Sequence, residues 1–153
     1  MPAAAPDALP LEAGLLRPEA ILVVDDEESF RAAVVRQLKD AGFETIEARD
    51  GSEAVKRFAE RREEITAVLL DLVMPNTSGG ETLQILRYYE PTLPIVVTSG
   101  YSELDAASLR ETERGVGFLG KPFTAAELTN ELRRVIRERL PQHRHSTPPK
   151  PLI

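Results

Sequence analysis

ILVVDD, residues 21 to 26, is a run of four apolar side chains followed at once by two adjacent carboxylates. A run that short, with no polar alternation, is the pattern of a strand buried on both faces of a parallel sheet. Four further runs follow along the chain: Thr45 to Ala48, Ala67 to Leu70, Ile95 to Thr98 and Val116 to Leu119. The stretches between them carry helical period. Phe30, Val34, Leu38 and Ala41 predict a helix of about three turns, with Gly42 standing where a left-handed cap would end it. Asp50 with Glu53 and Ser78 with Glu81 have the spacing of capping boxes, so two more helices are predicted to start there. A short helix is predicted over Asp105 to Glu111. A last one runs from Thr124, with Leu128, Leu132, Val135, Ile136 and Leu140 on one face. Strands alternating with helices predict an α/β fold built on a parallel sheet.

This repetition occupies residues 19 to 140, which leaves a leader over 1 to 18 and a tail over 141 to 153. The leader has no basic segment before an apolar core and does not read as a secretory signal. The tail, PQHRHSTPPKPLI, is proline-rich and polar with no apolar period, and is predicted to be disordered. A chain of 153 residues with 42% apolar side chains can bury one ordinary core, so one domain with two flexible ends is expected. The net charge of -6 and the lack of a lysine or arginine block argue against direct nucleic-acid binding. No uncharged apolar run approaches the roughly 18 to 20 residues that span a bilayer. With no cysteine, disulfides and thiolate chemistry are excluded, which fits a cytoplasmic protein.

In an open α/β sheet the functional crevice lies beyond the carboxyl ends of the strands. The residues that end or follow the runs are Asp25 and Asp26, then Asp71, then Thr98 and Ser99, and finally Lys121. Three carboxylates, a hydroxyl and an ammonium should therefore meet on one rim. Two carboxylates about 4 Å apart repel by roughly 4 kcal/mol at an effective dielectric of 20. Lys121 can cancel only one charge, so the excess calls for a divalent cation, and oxygen donors suit Mg2+ or Mn2+. With that cation bound, a carboxylate oxygen could attack phosphorus while Lys121 and Thr98 meet the oxygens of the transferring group. No nucleotide site is evident: GFLGKP lacks the spacing of a phosphate loop and has Pro122 where that loop needs a hydroxyl.

VVDDE at 23 to 27, LLDLVMP at 69 to 75, VTSGY at 97 to 101 and GKPF at 120 to 123 together resemble the four signature segments of the response-regulator receiver family. The resemblance covers about residues 19 to 140. It implies a doubly wound (βα)5 flavodoxin-like sandwich with sheet order 2-1-3-4-5. Within it, Asp71 resembles the phosphorylated aspartate, Asp26 the direct metal ligand, Asp25 the acidic neighbour that reaches the metal through water, and Val73 the carbonyl ligand. Thr98 resembles the hydroxyl residue that meets the phosphoryl group, Lys121 the lysine that binds it, and Phe118 the aromatic that turns inward as the hydroxyl shifts. The Lys121-Pro122 bond resembles the family's cis peptide. Mg2+ is the implied cofactor, and a sensor histidine kinase or phosphotransfer protein the implied donor. The wording of TSGY and LGKPF is similar to receivers attached to hybrid sensor histidine kinases. The output partner, and whether phosphorylation drives a homodimer, stay open.

Blander readings apply to the same residues. Asp25 and Asp26 could simply cap the following helix. His143 and His145 have no third ligand nearby and read as part of the solvated tail rather than a metal site. A degenerate receiver used only as a protein-binding module is countered by the intact set of five polar residues. A haloacid-dehalogenase-like phosphohydrolase would need an aspartate at Val73, and a flavodoxin-like cofactor binder would need a phosphate-binding loop where DDEES stands. Val73 cannot orient a hydrolytic water, so slow loss of an acquired phosphoryl group is expected from that position, while Gly100 offers no side-chain shield.

Overall fold

The computed structural model describes residues 19–74, 77–100 and 115–139. Five strands form one parallel sheet: β1 (Ala20–Val24), β2 (Glu44–Ala48), β3 (Ile65–Asp71), β6 (Ile95–Ser99) and β7 (Val116–Gly120). Their spatial order is β2-β1-β3-β6-β7, which counted over the sheet alone is the predicted 2-1-3-4-5. Each predicted run sits inside its strand, and the strands extend one residue beyond it, except β3, which extends three. A second, two-stranded antiparallel ribbon, β4 (Val73–Met74) with β5 (Thr77–Ser78), follows β3 directly and was not foreseen. Among the described residues the helices are α1 (Glu28–Asp40), α2 (Gly51–Arg61), α3 (Gly79–Tyr89) and α4 (Ala125–Arg137). The leader, the tail and the helix predicted over Asp105 to Glu111 lie outside the described residues. Among the described residues no helix is long and apolar enough to cross a membrane.

Alternation along the strands divides the core into two layers. Leu22, Val24, Val68, Leu70, Ile95 and Val97 pack with Ala54 and Phe58 of α2 and Leu83 and Leu86 of α3. Ile21, Val23, Ala67, Leu69 and Val96 point the other way, onto Val34 and Leu38 of α1 and Leu128, Leu132 and Val135 of α4. β1 is buried at all five positions because both of its faces are covered.

Local chemistry sets the helix ends. Gly42 ends α1 at φ 98°, a conformation that costs an L side chain about 1 kcal/mol or more. At α2, Asp50 Oδ1 accepts from the Glu53 N–H at 2.8 Å as predicted, but Glu53 Oε1 reaches past Asp50 to the Arg49 N–H at 2.8 Å. The complete box is at α4, where Thr124 and Glu127 accept from each other's backbone N–H at 3.0 and 2.9 Å. α3 begins directly after Ser78, whose side chain is not among those described.

Candidate functional site

Parallel strands of matched register bring their carboxyl ends to one edge, and the polar residues beyond them converge there. Asp71 ends β3 and is paired in register with Thr98 of β6, which is paired in turn with Leu119 of β7. Lys121 follows β7 and is anchored by its N–H to the Ser99 carbonyl at 2.9 Å. Asp25 follows β1, with its N–H donated to the Ala48 carbonyl at 3.1 Å. Asp25, Asp71 and Thr98 are buried, whereas Asp26 is exposed at the mouth. Asp25, Asp26 and Asp71 each offer a carboxylate oxygen, and these three oxygens lie within 4.8 Å of one another.

Lys121 Nζ bridges the two buried carboxylates, 3.1 Å from Asp25 Oδ2 and 3.5 Å from Asp71 Oδ2. Their other oxygens accept backbone donors, Glu27 N–H to Asp25 Oδ1 at 2.9 Å and Val73 N–H to Asp71 Oδ1 at 3.1 Å. Burial pushes the Asp71 carboxyl above its ordinary range, and the Val73 N–H and Lys121 offset this only in part, with Asp25 adding repulsion. For Lys121, burial pulls the ammonium down. The hydrogen bond to Asp25 and the charges of Asp71 and Asp25 outweigh it and leave the pKa raised. Three carboxylates with one ammonium leave two negative charges, and the converging donors are all hard oxygens. That donor set fits a small divalent cation.

The structure separates the two aspartates that the sequence offers as helix caps. The N-cap of α1 is Glu27, which makes no side-chain capping bond. Asp25 instead holds the entry turn through the Glu27 N–H and faces Lys121, so it serves the site and the turn together. Val73 lies in β4, 46% exposed, with its N–H turned to Asp71. Phe118 is half-buried against the α2 and α3 layer, and its N–H is donated to Glu131 Oε2 at 3.0 Å. Lys121-Pro122 is cis, as the resemblance implies.

Two supporting residues went unread in the sequence. Arg31 of α1, 14% exposed, donates to the Asp25 carbonyl at 2.7 Å and to Glu47 Oε1 of β2 at 2.9 Å, tying the β1 exit to two neighbouring elements. One arginine after DDEESF carries no sign of which carbonyl it will meet. Gly79 opens α3 against the β3 exit: a Cβ there would lie 2.5 Å from Leu72 Cα and 2.6 Å from the Asp71 carbonyl oxygen. The glycine itself was visible, but a helix start tolerates glycine for many reasons.

Comparison with known proteins adds a second line of evidence. The model of the response regulator receiver domain matches residues 21–133. The sensor kinase CckA of Brucella abortus is 33% identical over 116 residues, 76% of this chain and 12% of that protein. The transcriptional regulatory protein PrrA of Mycobacterium tuberculosis is 33% identical over 129 residues, 84% of this chain and 54% of that protein. The chain thus spans about half of PrrA and a small part of CckA. The crystal structure of the receiver domain from the hybrid histidine kinase CckA superposes with a TM-score of 0.65 at 32% identity, covering 76% of this chain and 98% of that one.

Proposed function

Because the chain belongs to the response regulator receiver family, a signalling family of two-component systems, we propose that Asp71 accepts a phosphoryl group from the phosphohistidine of a sensor histidine kinase or phosphotransfer protein. The observation that carries this reading is Lys121 Nζ lodged between Asp25 and Asp71 beside a three-carboxylate cluster. Such an arrangement suits a site that must gather charge around a transferring phosphoryl group.

Asp26, Asp71 and the Val73 carbonyl would hold Mg2+, with Asp25 beside them; Mn2+ suits the same oxygen set. When bound, the ion neutralises charge on the phosphoryl oxygens and on the carboxylates. In the step itself an Asp71 carboxylate oxygen attacks phosphorus, and the new O–P bond forms as the N–P bond of the donor breaks. The electron pair leaves on the imidazole nitrogen, which takes a proton from solvent. Lys121 meets one phosphoryl oxygen with its ammonium, and Thr98, beside Asp71 on the next strand, meets another with its hydroxyl. The shift of Thr98 makes room for Phe118 to turn, which alters a partner-binding face. The chain assists its own phosphorylation and slow dephosphorylation but turns over no external substrate. It would work in the cytoplasm, where histidine kinases present their phosphohistidine.

Intact mass after incubation with acetyl phosphate and Mg2+ tests this reading. One added phosphoryl group is expected, absent from Asp71→Asn and absent with a chelator. No gain across a range of small phosphodonors would leave a vestigial, purely protein-binding receiver. A time course of the same masses tests the lifetime: Val73→Asn should shorten it, and an unchanged half-life removes Val73 as its cause.

A further inference from the structure

Lys121 has a third neighbour that is not a carboxylate. Its Nζ lies 4.2 Å from the centroid of the Phe30 ring, inside the roughly 6 Å over which a cation is drawn to an aromatic face. The ring is itself held, because Phe123 meets it edge-on with centroids 5.6 Å apart and planes at 83°. Phe30 comes from α1, while Lys121 and Phe123 lie in the segment between β7 and α4, so the contact joins α1 to that segment at the rim. The ammonium is otherwise incompletely enclosed, with a side chain still 22% exposed.

We propose that Phe30 is a positioning residue for Lys121, its ring face holding the ammonium in place while the N–H donors are re-aimed during phosphoryl transfer; this rests on the phosphoacceptor reading above. Before transfer the ammonium is shared between Asp25 and Asp71. As the Asp71 oxygen bonds to phosphorus, its charge passes to the phosphoryl oxygens and Lys121 has to follow. A carboxylate in place of the ring would compete for the same N–H groups and pull the ammonium away. An aliphatic wall would exert no pull at all. A π face attracts the cation over its whole area and uses none of its three donors. It can therefore steady the charge in both arrangements.

The test compares rates of acetyl phosphate labelling for the full chain and for Phe30→Leu, Phe30→Tyr and a set carrying mono-, di- and trifluorophenylalanine at position 30. Fluorination drains the ring face of negative potential with little change of shape. The expected result is a loss of about 3- to 30-fold for Phe30→Leu, near-full activity for Phe30→Tyr, and a stepwise decline with each fluorine. A flat fluorine series overturns the proposal even if Phe30→Leu is slow, because packing alone would explain that loss. An unchanged rate in Phe30→Leu overturns it too. If the unaltered chain takes no phosphoryl group, the phosphoacceptor reading fails first. The ring contact is then judged by the upfield displacement of the Lys121 ε-proton resonances and its loss in Phe30→Leu; normal shifts in the unaltered chain refute the contact itself.

Discussion

Asp71 illustrates how a site residue is set against stability. Its pKa is raised, chiefly by burial, so folding disfavours the charged carboxylate relative to the unfolded chain. The stabilising contribution of the protonated form is complete below the ordinary carboxylate pKa of 3.8 and is lost as pH rises through the raised folded value. In metal-free buffer, Asp71→Asn should therefore melt higher than the parent at neutral pH. The gap should widen from acid to neutral pH and then level off. Melting curves over that range check this, and a gap that narrows as pH rises contradicts it. At this scale the sequence was legible wherever chemistry sits at a strand end. Asp25, Asp26, Asp71, Thr98 and Lys121 could each be placed because a parallel sheet delivers its carboxyl ends to one rim. Arg31, Phe30 and Gly79 could not, because their partners are a carbonyl, an ammonium and a backbone turn that only the folded chain brings near.

The elements tell a similar story with different gaps. The first, third and fourth runs found their strands because short, almost wholly apolar stretches have few other uses at that length, while Thr45 to Ala48 alternates as a half-exposed strand does. The β4 and β5 ribbon was missed because two residues per strand carry no period. The α2 box was half right, since spacing alone does not say that Glu53 will reach Arg49 rather than Asp50. The first residue of α3 packs directly on the exit of β3. Its limiting contacts at Gly79 are backbone atoms of Asp71 and Leu72, which cannot swing aside as a side-chain tip would. Gly79→Ala should cost roughly 1–3 kcal/mol from overpacking and slow phosphorylation at Asp71, because the carboxylate moves with the displaced backbone. Chemical denaturation and the acetyl phosphate assay measure the two effects. A variant that is destabilised but labels at the normal rate would free Asp71 from dependence on this contact.

For the whole molecule, the acidic rim means that a bound cation should act as a stabiliser of the fold. A ligand at a hundredfold excess over its Kd adds about 2.7 kcal/mol, which for a domain of this size raises Tm by about 5 to 10 °C. Mg2+ should produce that rise in the parent chain, a chelator should reverse it, and Asp26→Asn should largely abolish it. An equal rise in Asp26→Asn would place the ion elsewhere. The sheet order was legible only through the family resemblance, since βα repetition alone permits several strand orders. The two-layer core that alternates along β1 has a use in spectroscopy. Ile21 and Leu22 are neighbours in the chain, both with no exposed surface, yet they face different helix pairs. Methyl labels on these two residues would listen to opposite sides of the sheet from adjacent addresses, so a signal crossing only one layer would register at every second residue of the strand.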